Sequence, residues 1–398
     1  MSPVLSFDVI NLIIDIVGEN NDTNLLKELA LVSHSFHQIS IKHLFAHVEL
    51  HDVNYDYSTS SKKGFVKLVK SRPNVVNYIR KLTYEAGHNN DDHLLSPILS
   101  NFFPTTSRLN CLKIIASSWD WNLLDTSLTW AFLHLISLHT INHIDLSFIQ
   151  NFPLSSLTLS VNLLRLDMSC LTCLDYTEED NYFKTVQSEM WPKIREFHIS
   201  HSYQPTKKLL DVKGQVGRPV FNFMNLRQLS MSFIHFKEEP NIRYLLQNAK
   251  VLERLHLHVE IGQSLVGFLS ASTPTLKALD LSVSLHRANY GIPPLAGLCE
   301  ELEAMAGHNT LEVLSFEVHV DSQYTEDWVG STIQEVENVL VKPGWSALRQ
   351  VSFKLLIKDR GRWGHTKLTE ALQSLPDKYL SRLPKLESVA FIYSAYVV

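Results

Sequence analysis

The sequence predicts an α/β chain, α+β if its first helices are counted apart: an all-α N-terminal unit, then an irregular solenoid of strand–helix repeats. Three observations predict it. Two amphipathic segments fill the first 50 residues, and an apolar triplet of the form L-x-x-L-x-L recurs eleven times after them. Segments with helical period separate most of the triplets.

Composition sets the bounds. A chain of 398 residues exceeds the size at which one simple core suffices, so two domains or a repeat array are expected. With 45% hydrophobic and 19% charged residues it can bury a core. The net charge is −5, from 36 Lys and Arg against 41 Asp and Glu, without a run of like charge. That balance argues against nucleic acid and against an anionic membrane as partners. The N-terminus lacks a basic n-region, and no apolar run approaches the roughly 20 residues that span a bilayer. A soluble intracellular protein, cytoplasmic and/or nuclear, is expected. Four cysteines, Cys111, Cys170, Cys173 and Cys299, are too few for a disulfide framework, in keeping with a reducing compartment.

The first amphipathic segment is "VLSFDVINLIIDIVGENND". Ser6 is placed to cap a helix, and Asp8 sits in the first turn, where the helix dipole favours a carboxylate. Val9, Ile10, Ile13, Ile14 and Val17 make one apolar face, extended around the side by Leu12 and Ile16. In the second segment, "LALVSHSFHQISIKHLFAHVEL", the spacing of Leu29, Val32, Phe36 and Ile39 predicts a helix with one apolar face. Phe45, Val48 and Leu50 then suit a short extended run. Two such helices exceed what about 50 residues can bury alone, so they lean on the rest of the chain, on a partner, or on both. Residues 1 to 50 carry six acids, Asp8, Asp15, Glu19, Asp22, Glu28 and Glu49, against Lys27 and Lys42, a local balance of −4. "DVNYDYSTSSKKG", from Asp52 to Gly64, is polar and aperiodic and reads as a loop or linker.

Beyond it come the triplets: Ile79/Leu82/Tyr84, Leu109/Leu112/Ile114, Ile141/Ile144/Leu146, Leu163/Leu166/Met168, Ile194/Phe197/Ile199 and Leu226/Leu229/Met231. The series continues as Leu252/Leu255/Leu257, Leu276/Leu279/Leu281, Leu311/Leu314/Phe316, Leu348/Val351/Phe353 and Leu386/Val389/Phe391. Leu154/Leu157/Leu159 also fits, as a loop strand or a degenerate unit. The steps run from 22 to 38 residues, around or above the usual leucine-rich period of roughly 20 to 29. Between them "NIRYLLQNAKVL", "SLVGFLSAST", "LAGLCEELEAMAGH", "STIQEVENVLV" and "LTEALQSLPDKYLSRL" carry apolar residues at helical spacing. The pattern predicts a leucine-rich-repeat solenoid of about ten to twelve irregular units over 75–398, with 1–50 as the N-terminal unit and 51–74 as linker and first connecting helix. The alternative is an ordinary α/β domain whose strands begin with leucine.

Side chains alternate across a strand, so the residues between the apolar ones point outward. That face would present Lys81 and Thr83, His143 and Asp145, Arg165 and Asp167, His198, Arg254, His256 and His258, and Asp280, among others. Arg165, Asp167, His198, Arg254, His256, His258 and Asp280 are the candidate substrate-binding residues. A solvated strand face is the plainer reading for any one of them.

The N-terminal segment resembles the F-box, which implies an all-α unit of three helices. Leu5-Ser6-Phe7-Asp8-Val9-Ile10 and Ile13-Ile14 stand where the family has Leu-Pro-x-Glu and a helix with paired aliphatics. Leu31-Val32-Ser33-His34-Ser35-Phe36 stands where the family has its Leu-Val-Cys-basic-x-aromatic helix, and Leu44-Phe45 leads into the exit strand. Ser6 replaces the usual proline and Ser33 the frequent cysteine. With the leucine pattern behind it, the chain resembles F-box/leucine-rich-repeat proteins of the kind abundant in fungi. The resemblance implies a non-catalytic subunit of a Skp/cullin/F-box-type ubiquitin ligase. Its F-box would dock on a Skp-family adaptor, and through it on a cullin, while the repeats hold a protein substrate. Carried over, the adaptor-binding residues are Leu5, Val9, Ile10, Ile13, Leu31, Val32 and Phe36, aliphatic contacts of the helix-in-groove kind. The alternatives are a leucine-rich binding scaffold without ligase function and internal packing of all seven residues.

Enzymatic signatures are missing: no G-x-S-x-G, H-E-x-x-H, G-x-x-x-x-G-K-[ST] or G-x-G-x-x-G after a strand occurs. "CLTC", Cys170 to Cys173, has zinc-like spacing but no second paired set, and reads as apolar filling. "HISH" and "HLH", His198 to His201 and His256 to His258, read as exposed strand residues, and "KDRGRWGH", Lys358 to His365, as a loop. Neither a cofactor nor a metal is expected. A Ser/His/Asp arrangement assembled only in space stays open at this stage.

Overall fold

A computed structural model describes residues 6–20, 22–51, 61–86, 92–101, 103, 107–173, 192–213, 219–233, 239–260, 267–269, 274–285, 297–321, 326–358, 370, 373–380, 382–386 and 388–397. The chain forms two compact units, Met1–Pro192 with Asp211–Val220, and Lys193–Leu210 with Phe221–Val398.

Unit 1 opens on three helices whose ends are written in side chains. Helix α1 (Phe7–Glu19) is capped by Ser6, whose hydroxyl accepts from the Val9 N–H at 3.4 Å. Helix α2 (Thr23–Val32) is capped by Asp22, which accepts from the Leu25 N–H at 3.0 Å. Helix α3 (His34–Leu44) follows after a single residue, Ser33, whose extended backbone (φ −161°) ends α2 while its hydroxyl accepts from the Phe36 N–H at 3.4 Å. The helix expected to carry Leu29, Val32, Phe36 and Ile39 on one face is therefore broken in two, because a serine that caps the second helix interrupts the first.

Strand β1 (His47–Leu50) comes next, then α4 (Ser61–Ser71), β2 (Lys81–Glu85), α5 (Asp92–Asn101), β3 (Cys111–Asp120), α6 (Thr126–Ser137), β4 (His143–Gln150) and β5 (Arg165–Ser169). Neighbouring strands pair in parallel in chain order. Ser61–Gly64, expected in a loop, opens α4, while 52–60 lies outside the described residues. Leu154–Leu159 forms a 3-10 helix and no strand.

Unit 2 carries β6 (Glu196–Ser200), α7 (Tyr203–Asp211), β7 (Gln228–Phe233), α8 (Glu239–Asn248), β8 (Arg254–Glu260), β9 (Ala278–Leu285) and α9 (Leu298–Met305). It ends with β10 (Val313–Asp321), α10 (Glu326–Leu340), β11 (Gln350–Lys358), α11 (Leu375–Tyr379) and β12 (Ala390–Val397). Its strands are likewise parallel and in chain order.

The same local device starts most strands. Two successive N–H groups donate to the one carbonyl just ahead of the preceding strand: Asn110 and Cys111 to Arg80, Asn142 and His143 to Asn110, Leu164 and Arg165 to Asn142, all at 2.8–3.1 Å. Behind it the central apolar residue of each triplet points into the helices. Leu82, Leu112, Ile144 and Leu166 in unit 1, and Leu229, Leu255, Leu279, Leu314 and Val351 in unit 2, are fully buried. Each contributes about 1.5–3 kcal/mol on the transfer scale. Aromatic residues fill the third position in two of the triplets: Phe316 and Phe353 are register partners and stack at 4.7 Å and 14°.

The expected fold class is corrected by these findings. The chain is α/β, with all-parallel strands interleaved by helices, and neither a separate all-α unit nor a leucine-rich-repeat solenoid describes it. The three helices share a compact unit with β1–β5, and β1 is already a strand of that sheet. Among the described residues, strand lengths run from four residues in β1 to ten in β3, and the α-helices between them from five to fifteen residues, α11 and α10. The physical reason is that the apolar triplet marks only where a strand enters a sheet covered by helices, and any parallel α/β arrangement meets that condition. The last triplet is also out of step: Val351 pairs with Phe391, not with Val389.

Candidate functional site

The N-terminal helices divide their apolar residues between two surfaces. Ile14, Leu26 and Ile39 form a closed core, and Ile10, Val17, Leu29, Phe36 and Leu44 pack against it. On the other side Val9 and Ile13 are 41% and 42% exposed, and Leu31 and Val32 are 87% and 64% exposed. Phe7, Leu12 and Ile16 on α1 are also exposed. Of the seven residues carried over from the F-box, Val9, Ile13, Leu31 and Val32 are thus available to a partner. Ile10 and Phe36 are half-buried and pack against the internal core, and Leu5 lies outside the described residues. The reason is helical geometry: Ile10 and Ile14, four apart, share the inward face, while Val9 and Ile13 stand one residue, about 100°, away.

The outward sheet face of unit 1 carries polar rows fixed by register. His47, Lys81, Cys111, His143 and Arg165 are successive partners in one row, and Glu49, Thr83, Lys113, Asp145 and Asp167 in the next. Lys113 Nζ lies 2.7 Å from Asp145 Oδ2, and Arg165 donates to Asp167 from Nε at 3.1 Å to both oxygens. His143 joins the rows, its Nε2 2.9 Å from Asp167 Oδ2 and its Nδ1 3.2 Å from Cys111 Sγ. Burial opposes protonation of this imidazole, but its bonds to Asp167 and Cys111 prevail and push its pKa up to about 9. His47, at the end of the row, is driven the other way by burial and by the charges of Lys81 and Arg80. A hollow of about 260 Å³ lies over β1–β3, lined by Glu49, His51, Lys81, Thr83, Glu85 and Lys113, with Leu50 and Ile115.

In unit 2, Arg254 and His256 are exposed and His198, His258 and Asp280 half-buried. His256 is the register partner of Asp280, and His258 Nδ1 lies 2.9 Å from Ser282 Oγ. Glu317 binds both His319 Nε2 and Lys354 Nζ at 2.8 Å. Its burial, which would raise the carboxyl, is outweighed by these two partners, and its pKa is lowered.

No family model and no curated protein matches this chain. Among the described residues no group of three or more His, Cys, Asp or Glu could hold a metal ion, and no helix is long and apolar enough to cross a membrane. Cys170 of the CLTC segment takes a left-handed backbone (φ 50°), and Cys173 is buried beside Phe152 in an isolated bridge. "KDRGRWGH" beyond Lys358 lies outside the described residues.

Sequence reasoning places His143 on the outward face but does not join it to Cys111, and it assigns Cys111 no place in a site. The signal was present. Cys111 precedes Leu112 as His143 precedes Ile144, so aligning the triplets sets the two side by side.

Proposed function

We propose that this chain is the substrate-recognition adaptor of a Skp/cullin/F-box-type ubiquitin ligase, working in the cytoplasm or nucleus. Its N-terminal helices dock on a Skp-family adaptor, which connects to a cullin, and the polar sheet faces bind a target protein. Ubiquitin transfer falls to other subunits, so the chain itself is not an enzyme. One observation carries the reading: Val9, Ile13, Leu31 and Val32 are exposed on helices whose own core closes without them. Covering what these side chains still expose is worth at most about 1.5–3 kcal/mol each, which an apolar groove on a partner supplies and water does not. The local charge of −4 over residues 1 to 50 favours a partner with a basic rim and steers its approach.

Co-purification tests this directly. The full chain should be retained by an immobilised Skp-family adaptor, and the Leu31→Asp/Val32→Asp double variant should not. Failure of the wild-type chain to bind would sink the ligase reading and leave a binding scaffold without ligase function.

A further inference from the structure

Strand β12 pairs with β11 on one side, and among the described residues no strand pairs on its other side. An edge strand points about half of its N–H and C=O groups away from its one neighbour, and natural proteins blunt such edges with short strands or charged side chains. In unit 1 the edge strand β1 is blunted in both ways, being four residues long with Glu49 among them. β12 is not blunted. Its eight residues, Ala-Phe-Ile-Tyr-Ser-Ala-Tyr-Val, include no charge, no proline and no glycine.

The core is open at the same edge. Facing the helices, Val351, Phe353 and Leu355 of β11 are buried, 0%, 4% and 2% exposed, but their register partners Phe391, Tyr393 and Ala395 are only half-buried. The line of rings from Phe316 through Phe353 reaches Phe391, 6.2 Å from Phe353. On the opposite face Ile392 and Tyr396 are 49% and 54% exposed, with Ser394 between them.

We propose that two copies of this chain pair β12 against β12 in antiparallel, about a two-fold axis through Ser394, and form a closed dimer. The strand's own pattern selects a second copy. With Ser394 opposite its counterpart, Ile392 of each copy lies opposite Tyr396 of the other, and Tyr393 opposite Ala395. An aromatic side chain then meets a β-branched one on the exposed face, and the half-buried row gains cover on the other. Each copy contributes the same strand, so no β12 edge is left free and growth stops at two. Charge permits the pairing. β12 is neutral, and Lys354, the register partner of Ser394, is held by Glu317 at 2.8 Å. The Lys354 side chains of the two copies stand three strand spacings apart, about 14 Å, beyond the screening length of about 8 Å at physiological salt.

Sedimentation equilibrium on the full-length chain, from about 1 to about 100 μM, tests this. The wild-type chain should pass from monomer to dimer and no further. Ile392→Lys/Tyr396→Lys sets like charges directly opposite each other in that register and should weaken the dimer at least about tenfold. Circular dichroism and thermal melting should stay unchanged, because both positions are exposed. Ile392→Lys/Tyr396→Glu sets opposite charges face to face and should restore most of the association. A wild-type chain that stays monomeric overturns the proposal and leaves the edge to an extended segment of another protein. Open-ended growth overturns the closed pairing. A first variant that dimerises like the wild type overturns the role of β12, and a second variant as weak as the first overturns the register about Ser394.

Discussion

Val32 and Phe36 lie four residues apart and belong to different surfaces: Ser33 between them ends α2 and starts α3, so that Phe36 packs against the core of Ile14, Leu26 and Ile39 while Val32 stays 64% exposed. That separation makes the docking proposal testable without unfolding the unit.

Val32→Asp and Leu31→Asp should change stability by no more than about 0.5 kcal/mol, as surface substitutions do, yet weaken capture by a Skp-family adaptor at least about tenfold. Ile14→Ala, at a fully buried position, should instead cost about 2–5 kcal/mol. Thermal melts and an adaptor titration on the same three variants separate the two effects. Equal losses of stability and binding in all three would refute the division of surfaces.

Ser33→Ala removes the hydroxyl that accepts from Phe36 N–H. The expected cost is about 1 kcal/mol in urea unfolding, with α3 fraying first by hydrogen exchange. Gly18→Ala should destabilise as well, although alanine outranks glycine in helices by about 1 kcal/mol. The new Cβ would run into the His43 ring, which is held against Asp15 at 2.7 Å.

His143 predicts a pH dependence. Its folded pKa of about 9 lies above the ordinary 6.5, so between those values the folded chain holds a proton that the unfolded chain releases. Its contribution is whole below pH 6.5 and is lost as pH rises through about 9, a change on the order of 1–3 kcal/mol. Asp167→Asn should flatten that slope in urea unfolding followed from pH 6 to 9.5.

Glu337 on α10 is 1% exposed, and its Oε1 accepts the N–H groups of Arg382 and Leu383 at 2.8 and 2.9 Å. Glu337→Ala leaves both donors without that acceptor and should cost about 2–4 kcal/mol, whereas Glu337→Gln, which keeps a carbonyl oxygen, should cost less. Hydrogen exchange should show the loosening concentrated around 375–386. A uniform loosening of unit 2 would count against this account.

Much of the local structure was legible in the sequence. Ser6 and Asp8 mark the start of α1, and the triplets place every strand from β2 to β11, because burying one side of a strand imposes a pattern that needs only short-range spacing. Which apolar side chains stay open was not legible: periodicity groups Ile10 with Val9 and Phe36 with Val32, since it reports which side chains are apolar and not which neighbour covers them.

By itself, then, the sequence determined where α1 and the strands β2 to β11 begin and which positions are apolar. Tertiary structure alone decided the rest: the α/β arrangement in place of the repeat array, the two-residue shift of β12, the half of the α1 and α2 surface left open, and the meeting of Cys111 with His143 and Asp167. These depend on register and coverage between segments tens of residues apart, and the free energy that fixes them comes from packing across that distance, which no local pattern encodes.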